Sequence, residues 1–498
     1  MKFYVTTPIY YINDQPHIGH CYTTIAADCL SRYHRITGKD VFFLTGTDEH
    51  GEKIAQAAEK KGMTVQQFSD QMSEIFKKMW EKLGISYSRF IRTTEVQHQN
   101  TVRQVFKKLM ENGDIYQGEY SGYYCIPCEF FIPKTKIDPS KPVCPDCGRE
   151  VKILKEKSYF FRLSKYEKSL LSYLEKNPEM IQPPFRLEEV TNFISQGLTD
   201  LSITRQHTVW GIESPTEEKY SIYVWFDALL NYLTGVDYAD GKPNKYWPPD
   251  VQLIGKDILR FHSIIWPAIL MALGLELPEK IFAHGWWTVG SEKMSKSKGN
   301  VINPIELIDR FGVDGFRYFL LREVPFGLDG EYSEEKFIKR YNSDLANDLG
   351  NLVNRTINLV EKLFNGILPS GFISSDIETA IDSTIKNVDH YMTNVSFSEA
   401  LTEIWKLVGE FNKLLDKEKP WTAPIDSAKN TLSQCIAGIS IISFLVYPFI
   451  PETSKKIWKI LNIEESVANK IILNKDVMKI PEGTKAGKRE ILFTRIKI

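Results

Sequence analysis

The sequence predicts an α/β protein in which a parallel sheet is split by a cysteine-bearing insertion and followed by an all-α helical bundle. Three observations carry that prediction. Short apolar runs that end in polar or glycine-containing turns and lead into helical periodicity recur near residues 3, 41, 251 and 281, the pattern of strand–helix–strand units. Between the two sets of runs lie Cys125-Ile126-Pro127-Cys128 and Cys144-Pro145-Asp146-Cys147. Beyond Asn300 the pattern is helical almost to the end.

The 498 residues exceed what one hydrophobic core accommodates, and 43% hydrophobic with 25% charged residues is an ordinary globular balance. A net charge of −1 excludes binding of nucleic acid by a bulk positive field, so any such partner must meet a local patch.

In chain order, a β-type run at 3–6 leads through His17-Ile18-Gly19-His20 to a helix expected at 25–36. A strand turning into a helix N-terminus gathers unpaired N–H groups and the positive end of a dipole, which attracts phosphate. His17 and His20 would add donors, and Gly19 leaves room for a flat ring to approach the backbone. Taken alone, His-x-x-His is equally a surface turn or a metal pair. The apolar run 40–45 reads as a central strand, which puts Asp48 at its carboxyl end, where parallel sheets place ligands. Thr64 and Gln67 form a capping box for a helix whose face carries Val65, Phe68, Met72, Ile75, Met79 and Leu83. A further helix carries Val102, Val105, Phe106 and Leu109.

The first half of the sheet domain is assigned to 1–115 and the insertion to 116–220. Cys125, Cys128, Cys144 and Cys147, with fifteen residues between the pairs, match a zinc ribbon, so one structural Zn²⁺ held by four thiolates is expected. Residues 160–206 are mixed, with a helix near 165–176. The sheet is expected to resume at 221–332 with strands at 221–225, 251–254 and 281–284, then the loop Lys293-Met294-Ser295-Lys296-Ser297, by default a solvated charged face. No Walker loop is present. The bundle spans 333–470, with helical faces at 334–363, 397–415 and 432–461, and 471–498 reads as short, basic and partly β-like.

His17-Ile18-Gly19-His20 and Lys293-Met294-Ser295-Lys296-Ser297 together resemble the two signatures of class I aminoacyl-tRNA synthetases. Thr7 to Tyr11, Thr45 to Gly51, the cysteine pairs, Tyr223 to Ala228 and Gly255-Lys256-Asp257 make the chain similar to the methionyl-tRNA synthetase family over nearly its whole length. That resemblance implies a Rossmann-type nucleotide-binding sheet and a ligase joining L-methionine to tRNA(Met) through methionyl-adenylate, with ATP and its Mg²⁺ as co-substrate. It implies catalytic His17, His20, Lys293 and Lys296, with Gly255 and Asp257 on the adenosine. It implies a methionine pocket of Ile9, Tyr11, Asp48, Trp225, Ala228, Leu229, Tyr232, Phe261 and His262, with Asp48 on the α-ammonium.

In the bundle, Asn351 and Arg355 share a helix face and Trp421 follows Lys419-Pro420, where a helix must stop. An aromatic plane with Asn and Arg suits single-stranded RNA, and the three match the family's anticodon-reading positions. Two rivals stay open at this point, another small class I enzyme such as a cysteinyl synthetase, and a non-catalytic RNA-binding protein of the same shape. The seven cysteines do not form a disulfide framework, no secretory leader is evident, and the apolar run 435–450 is shorter than a membrane span. A cytoplasmic monomer without a membrane partner is expected.

Overall fold

The structure, a computed structural model, describes residues 1–125, 130–132, 137–140, 142–145, 148–206, 210–238, 241–290, 292–293, 302–371, 373–464 and 479–497. Its centre is a parallel sheet of six strands. Lys2–Tyr11 (β1) lies between Asp40–Asp48 (β2) and Val251–Gly255, with Arg89–Arg92 (β3) outside β2 and Ile281–His284 outside Val251–Gly255. The chain leaves β1 for one side of the sheet and later returns to the other. The crevice where strand order reverses therefore opens at the carboxyl ends of β1 and Val251–Gly255.

Ile181–Gln182 completes the sheet by pairing in parallel with Ile281–Phe282, inside the stretch that the sequence left unassigned. Conversely, the strand expected at 221–225 is not part of this sheet. Ser221–Ile222 pairs antiparallel with Thr204–Arg205, and the chain then turns into the helix Val224–Leu229. Phe226, Leu229, Leu230 and Leu233 are buried at helical spacing, so a run that reads equally as strand or helix is decided by packing.

The first helix, Ile18–Ile36 (α1), starts seven residues before the expected 25–36 because the two histidines cap it. The methionines of Val65–Lys82 are core, with Met72 and Met79 buried. In the insertion, Phe130–Ile132, Ile115–Cys125, Lys152–Phe161 and Leu201–Ser202 form an antiparallel sheet. Cys125, Ile132, Ile137, Cys144 and Val151 make a small apolar cluster of their own.

Helical structure follows. Glu334–Arg340 continues through a π-helical stretch, Tyr341–Gly350, into Asn351–Phe364, which keeps Phe337, Tyr341, Leu345, Leu349, Leu352 and Leu359 buried across the change of pitch. Ser375–Thr393, Phe397–Glu418, Ile425–Val446 and Pro451–Ile460 complete it. Ile425–Val446 is the one helix among the described residues long and apolar enough to cross a membrane, and 89% of its apolar window is buried inside the protein. The β-character expected at 471–498 does not appear in the described part, 479–497, beyond one bridge between Ile367 and Lys485. This segment lies against the helices instead, with Asn342 exchanging hydrogen bonds with the Ile496 backbone.

Candidate active site

At the start of α1, His17 is the N-cap and its Nδ1 accepts the Gly19 N–H at 3.1 Å, while His20 Nδ1 accepts the His17 N–H at 3.2 Å. Each ring spends Nδ1 on the backbone, so a neutral imidazole carries its proton on Nε2. The rings stack with centroids 3.8 Å apart. His20 also packs against Tyr10 and Phe76, and burial, reinforced by His17, holds its pKa well below the usual value. It therefore offers a neutral N–H rather than a cation at pH 7. A Cβ on Gly19 would lie 3.0 Å from His17 Cε1, so the space left by this glycine is taken by the histidine's own ring.

Across the switch point, Thr23 on α1 meets His284 Nε2 at 2.6 Å, and His284 Nδ1 donates to the Gly285 carbonyl. Burial lowers the pKa of His284. This residue was missed in the sequence, although the strand-end rule that singled out Asp48 applies to it equally.

The expected methionine-pocket residues come from five elements. Tyr11 and Asp48 are register partners at the ends of β1 and β2, and Ile9 packs on the apolar cluster that contains Leu229 and Tyr232. Trp225 and Phe261, from separate helices, stack at 3.7 Å with an interplanar angle of 8°. Ala228 is buried on the helix that carries Trp225. His262 Nδ1 donates to the Ile258 carbonyl, leaving Nε2 to accept the Tyr232 hydroxyl at 2.8 Å, and burial lowers its pKa to about 4.

Beneath Trp225 lies a cluster that the sequence did not reveal, because its members are far apart in the chain. Asp227 is fully buried and accepts from His50 Nδ1 at 2.6 Å and His98 Nε2 at 2.7 Å. His98 Nδ1 meets Thr234 Oγ1 at 2.9 Å. Burial opposes ionisation of Asp227, but the two imidazoles hold its carboxyl below the usual range.

On the other side of the crevice, Gly255 pairs with His284, and a Cβ there would lie 2.6 Å from Asp257 Oδ1. That oxygen accepts the Trp286 indole N–H at 3.1 Å. Lys293 belongs to the short strand Glu292–Lys293, which pairs antiparallel with Thr288 and Val289. Lys296, Cys128 and Cys147 lie outside the described residues. In the helical region Arg355 lies 5.6 Å from the centroid of the Trp421 ring and bonds Asp416 at 2.7 Å, with Asn351 exposed one turn earlier. Trp421 is 45% exposed, which excludes a core tryptophan.

The sequence model of class I tRNA synthetases (M) matches residues 3–357. The chain belongs to this family. An anticodon-binding domain of tRNA ligases matches residues 375–492. The methionine–tRNA ligase of Caldanaerobacter subterraneus subsp. tengcongensis is 50% identical, covering the whole of this chain and 79% of that protein. That of Clostridium tetani is 48% identical with the same coverage of both. Among solved structures, Mycobacterium tuberculosis methionyl-tRNA synthetase in complex with methionyl-adenylate aligns at a TM-score of 0.93 and 38% identity, over 99% of this chain and 100% of that one. Its free state aligns at 0.87 and 35%, over 100% and 98%.

Proposed function

We propose that this synthetase is a methionine–tRNA ligase. It activates L-methionine with ATP to methionyl-adenylate and pyrophosphate, then transfers the methionyl group to tRNA(Met) for translation initiation and elongation. The observation that carries the reading is the pair of histidines that cap a helix N-terminus, opening on the switch point of a parallel sheet, in a chain of this family.

In this reading the methionine carboxylate attacks the α-phosphorus as the bond to pyrophosphate breaks. Asp48 holds the α-ammonium, and Ile9, Tyr11, Ala228, Leu229 and the Trp225–Phe261 stack enclose a polarizable thioether. Tyr232 and His262, neutral and bonded to each other, close the pocket without adding charge. His17 and His20 donate Nε2–H to phosphate oxygens at the positive end of α1, and Gly255 and Asp257 hold the adenosine. Because His20 is neutral, the cationic share of stabilising the departing pyrophosphate falls to Lys293 and Lys296. Mg²⁺ arrives with ATP.

Cys125, Cys128, Cys144 and Cys147 are assigned to one structural Zn²⁺. Cys125 and Cys144 share one buried cluster, and Gly148, at φ +71°, returns its N–H to the Cys144 carbonyl at 2.8 Å, closing a tight turn. Four thiolates suit Zn²⁺, which when bound supplies cross-linking to the cysteine-bearing segment, whose own apolar cluster is small. Asn351, Arg355 and Trp421 are assigned to the anticodon. The domain division proposed is 1–115 with 221–332 as catalytic halves, 116–220 as insertion, 333–470 as anticodon-binding, and 471–498 as a terminal segment. A cytoplasmic monomer fits cysteines that stay reduced and an apolar helix already covered by protein.

The test is pyrophosphate exchange into ATP with each proteinogenic amino acid in turn, alongside Lys296→Ala. Exchange driven by methionine alone, reduced more than about tenfold in the variant while methionine binding persists, is the expected result. Exchange with another amino acid refutes the pocket, and unchanged turnover in Lys296→Ala removes the loop from the chemistry.

A further inference from the structure

Asp329 follows the helix Pro304–Arg322 and has no place in the machinery described above. Its carboxylate nevertheless joins the two strand-end segments, Lys256 and Trp286, that flank Asp257 on the adenosine side of the crevice. Its two oxygens take Lys256 Nζ at 2.7 and 2.6 Å, and Oδ1 also accepts the Trp286 backbone N–H at 2.8 Å. Lys256 Nζ in turn lies 4.2 Å from the centroid of the Trp286 ring. These contacts fix the plane of the indole whose Nε1–H reaches Asp257.

The backbone around Asp329 is just as constrained. A Cβ on Gly285 would come within 2.3 Å of the Leu328 carbonyl and 2.6 Å of the Asp329 nitrogen, so the segment lies directly on the glycine. One residue on, Gly330 pairs with Trp287 and Glu331 with Thr288. Thr288 also pairs, on its other edge, with Lys293. A single short strand thus carries Asp329's neighbours on one side and the start of the lysine-rich loop on the other.

We propose that Asp329 is a positioning residue for ATP: through Lys256 and Trp286 it orients Asp257, and through Gly330 and Glu331 it sets the base of the Lys293 loop. The proposal rests on the ligase reading. An ion pair whose carboxylate is 47% exposed adds little to folding, so its loss is read in substrate positioning rather than stability. Asp257 accepts one indole N–H from a ring held on two sides, and a small rotation of that ring withdraws the bond.

The experiment compares wild type, Asp329→Asn, Trp286→Phe and the double variant in methionine-dependent pyrophosphate exchange. Methionine binding without ATP is measured separately by equilibrium dialysis. Asp329→Asn is expected to raise KM for ATP at least about fivefold while the methionine Kd stays within about twofold. Trp286→Phe, which keeps an aromatic ring but loses Nε1–H and part of the indole, should raise the same KM, and the double variant should show less than the product of the two effects. An unchanged ATP KM in Asp329→Asn overturns the proposal, as does multiplicative behaviour of the pair. Equal losses for ATP and methionine with a lowered melting temperature reduce Asp329 to a structural role and overturn it as well. Absence of methionine-dependent exchange in the wild type would instead strike the ligase reading, which separates the two failures.

Discussion

His262 shows how much chemistry a single buried ring contributes beyond its identity. Family resemblance named it, but its charge state follows only from its bonds. With Nδ1 donating to the Ile258 carbonyl and Nε2 accepting from Tyr232, a second ring proton would reverse the latter bond and force the tyrosine hydroxyl to turn its own proton elsewhere. Burial depresses its pKa to about 4, against about 6.5 in an unfolded chain. As pH falls below about 6.5 the unfolded chain takes up the proton first, so this contribution is complete above that value and is lost as pH approaches 4. The shift corresponds to about 3 kcal/mol. His20 and His284 are depressed by burial in the same direction. The melting temperature should therefore fall between pH 7 and pH 5, and His262→Gln should show a shallower fall. Parallel slopes in the two proteins would show that His262 is not held neutral by the fold.

At the scale of elements, most of the sheet was legible because its strands are short apolar runs that end in polar or glycine-containing turns. The exceptions have physical reasons. Histidine is not an ordinary helix cap, so the true start of α1 was hidden even though His17 and His20 were recognised as its key residues. Ile181–Gln182 is too short for any periodicity and joins the sheet only through its pairing with Ile281–Phe282. The start of the helix Val224–Leu229 was hidden by the strand expected at 221–225, and the Asp227 cluster was missed, since His50, His98 and Asp227 lie on three stretches far apart in the chain. That cluster fastens the Trp225 helix to the end of β2, two residues from Asp48. Asp227→Asn removes the charge that both imidazoles address and leaves the packing volume unchanged. It should raise KM for methionine about tenfold or more while KM for ATP stays within about twofold in the exchange assay. An equal rise in both constants would show that the cluster supports the fold at large and not the amino-acid side.

At the scale of the molecule, sheet and helices share one buried ionic junction. Arg317, wholly buried, bonds Asp28 of α1 at 2.7 Å and the carbonyls of Pro448 and Phe449, while Arg32 joins Asp28 to Tyr447. Asp28 keeps a carboxyl far below its usual range because, against the cost of burial, two guanidiniums face it. The helix that presents His17 and His20 is thereby fixed to the helical region by charge as well as by apolar contact. The recognition proposed for that region is nonetheless chemically separate from the activation proposed at α1. Trp421 is exposed, with Arg355 over its ring and Asn351 one turn away, a surface suited to unstacked bases and made of residues that the sequence had already grouped. Asp416, which holds Arg355 in the free protein, was not foreseen, because nothing in its spacing points to that partner. Stacking of one base on an aromatic ring contributes about 1–3 kcal/mol. Trp421→Ala should therefore lower kcat/KM for tRNA charging roughly five- to hundredfold and leave methionine-dependent pyrophosphate exchange within about twofold of wild type. Equal losses in the two assays would mean that the ring supports the fold shared by both sites rather than reading RNA.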